Sequence, residues 1–542
     1  MTKKTVIIAM TLLCINAGHA MAEEVDPGAV LNRSPENLEY YRLKKALQEN
    51  TTEQDKETVL DNTQKTNNLT SEAGEVIINV TKLTTDPSEI LSADEITAII
   101  AKYEGKQLSI KDLNEAIKEF NELYVAKGYI SARAILPPQK IVDGIVAIKL
   151  VEGRVGDIYV EDNKHTSNRF ILNSISLQRG DLIKLDTLEK DAFYFNRTND
   201  VQLRLELKPG KDFGTTDCVI KAFEPENDQL TLFSDNAGRN ETGLYRFGMT
   251  YVNNSLFGHR DSLTLTPIWA DGTLAGSVAY NIPIDTEGTR FGVSYSKNQT
   301  NIVAGPFQSL DITGDSSDIG FTLSHPYKVK QNYKLDGFAE WHLKTADTFF
   351  SGTELLENDV KTAVVGFTVQ SLEDKGFWYT RHDFTRGIVE DGNNFFRYNF
   401  SMVRQRLLPH DRTLLIRVAS QMTNNHLLPT SDQFFIGGMS TVRGYREGIL
   451  AGDKGYVLST ELGFPISQKV QGFAFIDHGG AFAFVGNDDM DRHSDYLTSI
   501  GLGASINFSK RIAGKFAIGI PLRSIDDASH IRIHYFLQSI LF

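Results

Sequence analysis

Between Asp228 and Phe542 the side chains alternate with a period of two, stretch after stretch. Tyr245, Phe247, Met249 and Tyr251 are separated by Arg246, Gly248 and Thr250. From Thr362 to Gln370, Ala363, Val365, Phe367 and Val369 share one face. The pattern is cleanest from Leu497 to Phe508. Ile500, Leu502, Ala504, Ile506 and Phe508 point one way, and Ser499, Gly501, Gly503, Ser505 and Asn507 the other. Period two means strand. A small polar face backed by an apolar one is the signature of a barrel whose outside meets lipid. A soluble β-sandwich would need a bulkier packed face. Roughly 315 residues at about 20 per strand and connection predict about 16 antiparallel strands, an even number. The terminal strand, Ile531 to Phe542, has Ile531, Ile533, Tyr535, Leu537 and Leu541 on its apolar face. Phe542 falls on the other parity, so a bulge intervenes or Phe542 faces inward.

Before the barrel the pattern changes. Met1 to Ala22 reads as a secretory leader, with Lys3 and Lys4, an apolar run Val6 to Ile15, and Ala20-Met-Ala22 as the cleavage site. That run of about 10 residues is too short to span a bilayer as a helix. Removing Lys3 and Lys4 takes the net charge from −13 to near −15, which argues against nucleic acid as a partner. Cys14 leaves with the leader, so Cys218 stands alone and is expected to be a buried, inert thiol.

Ser34 to Asn50 predicts a helix, capped by Ser34 with Pro35 in its first turn. Tyr40, Leu43 and Leu47 share its apolar face. Its length, about 24 Å, is close to the apolar band of a barrel, about 25 Å. Residues 51–75 are polar and aperiodic and read as a linker.

Residues 76–153 form an α/β unit. Val76 to Val80 is a strand, and Ser92-Ala-Asp-Glu95 a capping box before Ile96, Ile99, Ile100 and Tyr103. Ser109 opens a second helix with Leu113, Ala116, Ile117, Phe120 and Tyr124 on one face; strands over Tyr129–Leu136 and Ile145–Val151 follow. Residues 154–225 repeat the design, with a strand from Asp157, a helix opened by Asp186-Thr-Leu-Glu189, a strand Val201–Leu207, and a last strand after Gly214.

Two short motifs carry a resemblance. Phe434 to Tyr445 runs Phe-Phe-Ile-Gly-Gly-Met-Ser-Thr-Val-Arg-Gly-Tyr, and downstream lies Phe473-Ala-Phe-Ile-Asp-His-Gly479. With Leu136-Pro-Pro-Gln139, Val151-Glu-Gly153, Phe195-Asn-Arg197 and Pro209-Gly210, they resemble the two-partner secretion transporters (haemolysin activation and secretion proteins), a branch of the protein-translocating porin superfamily. The resemblance implies two periplasmic POTRA domains, 76–153 and 154–225, then a transmembrane barrel over 226–542 in the outer membrane of a Gram-negative bacterium. It implies that Ser34–Asn50 plugs the pore. A loop carrying Val442, Arg443, Gly444 and Tyr445 folds into the lumen, where Arg443 meets Asp477 on a wall that includes Phe475 and Gly479. The terminal Phe542 resembles a signal read by barrel assembly machinery.

The implied function is export of one large exoprotein, recognised by its N-terminal secretion domain, from periplasm to cell surface. Haemolysin, adhesin and contact-dependent toxin cargoes fit equally. A barrel insertase of the same superfamily and a passive porin are the alternatives; two POTRA units and a plug argue against the porin. No nucleophile elbow, phosphate loop or zinc motif is present, so neither an enzyme nor a cofactor or metal is expected. Alternation puts His478 opposite Asp477, which argues against the two acting together. It also puts Phe473 and Phe475 beside Asp477 on the lumen face, which requires something to cover them.

Overall fold

A computed structural model describes residues 59–61, 77–390, 392, 394–424, 427–484, 492–525 and 531–542. The leader and the helix expected over Ser34–Asn50, with Tyr40, Leu43 and Leu47, lie outside the described residues. The chain divides into two compact units, and residues 55–225 form one of them.

Within 55–225 there are two α/β bodies. In the first, Ser92 and Glu95 cap the helix Ala93–Ile100 reciprocally, and Ser109 and Asp112 do the same for Ile110–Ala126. Leu113, Ala116, Phe120 and Tyr124, at helical spacing, bury against Val146, Ile148 and Leu150 of the strand Ile145–Val151. The strand expected over Tyr129–Leu136 shortens to Arg133–Ile135. In the second body, the helix Leu185–Thr198 packs Leu188, Ala192 and Phe195 on a sheet with Leu203, Leu205, Leu207 and Ile220. A short helix, Asn168–Asn173, capped by Ser167, has no counterpart in the sequence reading. Six residues are too few for periodicity to show. Cys218 is buried in this core, and burial pushes its thiol up to about 12, so it stays protonated and unreactive.

One expectation is corrected here. Residues 51–75 read as an aperiodic linker, yet Val59–Asp61 forms a strand parallel to Gln202–Pro209 and borders the second body's sheet. Three residues carry too little pattern to announce a strand; a neighbouring backbone supplies the order.

The second unit is a closed barrel of sixteen antiparallel strands. The first, Asp228–Asp235, pairs with the last, Arg532–Ile540, so that Thr231 faces Ile540 and Asp235 faces Phe536. No helix among the described residues is long and apolar enough to cross a membrane. The strands carry the apolar surface instead: Ile319, Phe321, Trp341, Leu343, Val365, Ile476, Ile500, Leu502 and Ile533 are all exposed outward. In water such a surface marks an unmet partner; on a barrel it is the lipid-facing band. Asp477, Ser499 and His534, by contrast, are buried inside.

The chain end resolves an ambiguity left by parity. Leu541 donates its N–H to Leu230 O, and the Leu230 N–H donates to Phe542 O. Two residues thus oppose one, which is a β-bulge. The Phe542 side chain is exposed.

The outward face predicts a depth-dependent penalty. Ile500→Lys, near the middle of the strand Arg492–Asn507, is expected to destabilise the barrel by about 2–4 kcal/mol. Ser505→Lys, on the lumen face, should change stability far less. Urea unfolding in lipid bilayers checks both.

Candidate functional site

With an even strand number both barrel ends lie at one rim, so the connection from Arg412–Thr423 to Lys454–Ser467 starts at the opposite rim. It does not stay there. Its arms, Phe434–Ile436 and Leu450–Gly452, pair as a short antiparallel ladder that carries a tip into the lumen. The Gly438 N–H donates to Val442 O (3.1 Å), and the Thr441 hydroxyl bonds to both the N–H and the carbonyl of Gly437. The tip is therefore a hydrogen-bonded turn.

Arg443 stands at its end, 3% exposed, facing Asp477, 0% exposed. Its Nε donates to Asp477 Oδ2 (2.7 Å) and its Nη2 to Oδ1 (2.8 Å), a two-pronged contact. The Arg443 backbone N–H also donates to Oδ2, at 3.1 Å. Its guanidinium carbon lies 3.6 Å from the centroid of the Phe475 ring, whose electron-rich face attracts the cation. Phe473 and Phe475 are buried under this loop, and Lys515 Nζ sits 4.7 Å over Phe473. That cover is what lets two phenylalanines occupy a lumen face.

The remaining motif residues fix the tip's depth. Val442 and Tyr445 are buried with Ile436, Val457, Ala481 and Leu497. Tyr445 OH lies 2.9 Å from the carbonyls of both Thr498 and Arg523. A Cβ on Gly479 would stand 3.2 Å from Val442 Cγ2, so its absence makes room for that side chain. Gly444 has φ +94°, and a Cβ on Gly519 across from it would fall 2.5 Å from Gly444 N. Backbone meets backbone there, which only glycine permits. His478 takes the outer face, bonded to Tyr456 OH (2.9 Å) and Thr498 Oγ1 (2.8 Å).

Several participants were not singled out from sequence. Glu461 Oε1 accepts from Arg443 Nη1 at 2.5 Å and also from Arg417 (2.7 Å) and Lys515 (3.3 Å). Ser459, directly across from Asp477, accepts from Arg443 Nη2 at 3.2 Å. The expected ion pair is thus one edge of a network of three cations and two carboxylates. His534 Nε2 accepts the Gly444 N–H at 3.0 Å. Glu461 lies on the parity opposite the exposed Leu458 and Leu462, which points it inward, but no local signal says which inward positions meet.

A second anchor holds the loop's root. The Asp432 carboxylate, fully buried, lies between Lys344 (3.0 Å) and Arg397 (2.9 Å). Its carbonyl accepts from Arg397 Nη1 (2.9 Å) and Gln421 Nε2 (2.8 Å). Root and tip are fastened to different strands, so the loop crosses the lumen. On the terminal-rim side of the clamp, a cavity of about 360 Å³ remains, lined by Gln405, Glu461, Lys515, Phe536 and Gln538.

Residues 214–506 match the family model described as haemolysin secretion/activation protein ShlB/FhaC/HecB, and residues 78–153 match the ShlB-type POTRA domain. A heme/hemopexin transporter protein, HuxB, of Haemophilus influenzae is 28% identical over 472 residues, covering 79% of this chain and 80% of its own. The outer membrane transporter CdiB of Dickeya dadantii is 22% identical over 466 residues, covering 80% and 81%. Among solved structures, CdiB from Escherichia coli superposes with a TM-score of 0.64 at 19% identity, over 95% of this chain and 99% of that one.

The network orders the expected effects of substitution. Asp477→Ala or Arg443→Ala strands a buried charge, at roughly 3–5 kcal/mol. Each should free the tip and make a cysteine placed at Met439 reactive to a membrane-impermeant maleimide. Glu461→Gln should do so less, because Arg443 keeps both bonds to Asp477. The double variant Arg443→Ala/Asp477→Ala should be little worse than either single. Arg443→Lys should restore only part, since an ammonium cannot make the two-pronged contact. Additive losses, or unchanged labelling in Asp477→Ala, would show that another contact holds the tip.

Proposed function

From the premise that the chain belongs to the haemolysin secretion/activation protein family, we propose that its clamped loop is the movable part of an export pore. The chain is an outer-membrane transporter of two-partner secretion, with its POTRA domains in the periplasm, and its substrate is a secreted partner protein. One observation carries the mechanistic reading: an irregular glycine turn holds a buried charge network across the lumen of a closed barrel. Irregular backbone at membrane depth is tolerated only inside protein or beside a water-filled cavity. A segment placed there obstructs the lumen, and its breakable polar contacts let it move.

In this reading the exported chain enters unfolded from the POTRA side through its N-terminal secretion domain and displaces the tip. The helix Ser34–Asn50 is a second obstruction, matched to the lumen by its length. The apolar strand faces contact outer-membrane lipid, and the terminal strand with Phe542 engages the barrel assembly machinery. The family match favours secretion over barrel insertion as the primary task. It leaves the choice among haemolysin, adhesin and toxin cargoes to the partner.

Disrupting this gene should trap its partner exoprotein in the periplasm, and complementation should return it to the cell surface. Immunoblotting of periplasm and medium reads the result. Normal export without the transporter would refute the assignment. Deleting residues 23–50 should raise single-channel conductance in planar bilayers; unchanged conductance would mean that the helix does not sit in the pore.

A further inference from the structure

On the terminal-rim side of the clamp the lumen keeps its cavity of about 360 Å³. It runs from the turn Ser467–Lys469 at the rim to Glu461, Phe473 and Lys515 beneath the loop tip. Two features set its chemistry: an amide lining and a spare cation.

Gln405, Gln471, Asn507 and Gln538 come from four different strands and converge on the cavity. An amide side chain offers both donors and acceptors, and a buried one is normally hydrogen-bonded. Gln405 is 5% exposed, yet its side-chain amide bonds to no other described residue and opens onto this cavity. The half-buried amide of Gln538 likewise has no partner among the described residues. Such groups match the N–H and carbonyl groups of an extended polypeptide, whatever its side chains.

The spare cation is Lys515. Among the described lining residues only Glu461, Lys469 and Lys515 are charged. Glu461 Oε1 is already taken by Arg443 (2.5 Å) and Arg417 (2.7 Å). Lys515 Nζ reaches the two carboxylate oxygens at 3.3 Å each. That is longer than the spacing of a charge-assisted bond, about 2.7–2.9 Å. Three cations against two carboxylates leave the network one positive charge in excess. Lys515 is the member that faces open space: 34% of its side chain is exposed, against 3% for Arg443. An ammonium carries three N–H donors, so Glu461 does not exhaust it.

We propose that this cavity is a staging subsite for an extended segment of the exported chain that carries an acidic side chain. Lys515 pairs with the carboxylate, and the amides hold the backbone on either side of it. The assignment rests on the transporter reading above and adds the chemistry that the substrate presents at the pore mouth. Lys515 gives up only two long contacts, while Arg443 keeps both bonds to Asp477. An arriving chain is therefore held at the periplasmic mouth with the clamp still shut. A basic segment is disfavoured there, because Lys469 and Lys515 repel it and Glu461 is already shared among three cations.

The test uses the full-length transporter carrying Ser505→Cys, which lines the cavity directly across from Lys515. Cys218 is buried and does not compete for reagent. The probes are a blocked heptapeptide of glycine and serine with a central aspartate, and its asparagine counterpart. The aspartate peptide should slow alkylation of the new thiol by N-ethylmaleimide about fivefold more than the asparagine peptide, the upper range for a partly exposed ion pair. Lys515→Gln should abolish that preference. Lys515→Arg should keep it, which separates lost pairing from a folding defect. Gln405→Leu should weaken protection by both peptides and leave the preference intact.

Equal protection by the two peptides, protection by neither, or a preference that survives Lys515→Gln would each overturn the proposal. So would protection that appears only after residues 23–50 are deleted, since the cavity would then belong to that segment. None of these results bears on the transporter reading, which fails instead if the wild-type protein does not carry its partner to the cell surface.

Discussion

A strand edge cannot face hydrocarbon, because no water is there to take its N–H and carbonyl groups. Pairing of Asp228–Asp235 with Arg532–Ile540 removes the two edges this chain would otherwise expose. Much of the barrel unit's design answers to that closure. Once closed, the sheet has an outer face that must be apolar and an inner face that need not be. Charged side chains such as Glu461, Asp477 and Lys515 can then sit at membrane depth without meeting lipid. The bulge at Leu541 and Phe542 falls at the end of the closing strand, where the extra residue leaves the pairing upstream of it intact.

The lumen in turn supports a contact that would be weak at a surface. An exposed Arg–Asp pair contributes about 1 kcal/mol or less. Here Asp477 receives two guanidinium bonds and one backbone N–H, Phe475 lies beneath the cation, and Glu461 neutralises further charge. Burial makes these contacts costly to lose singly. The same burial demands close approach, and the facing glycines Gly444 and Gly519 supply it. Root and tip are held by separate carboxylates, Asp432 and Asp477, so release of one need not release the other.

The unit over 55–225 solves a different problem. Its two bodies are small, and each packs a pair of helices over short strands. Such sheets have borders, and in water a border is a binding opportunity as much as a liability. Arg154–Glu161 is blunted by its own irregularity, whereas Gln202–Pro209 is covered by borrowed backbone.

Local pattern determined the classes of structure. Period-two alternation over Asp228–Phe542 reports which face each strand presents, because side-chain direction in a strand depends only on parity. Capping residues Ser92 and Ser109 marked helix starts for the same reason: a cap is satisfied by residues three positions away. Arg443, Asp477, Phe475 and the buried Cys218 were legible from motif or parity. Glu461, Ser459, Gly519 and His534 were not, since each meets the loop through a register set by strand pairing far along the chain, and neither was Asp432, which sits in the loop itself and meets Lys344 and Arg397 on distant strands. Val59–Asp61 was missed because three polar-flanked residues have no preference strong enough to show. Parity says inward or outward. Only closure of the barrel and register between strands decide which inward residues share a site, and those are properties of the whole sheet rather than of any stretch within it.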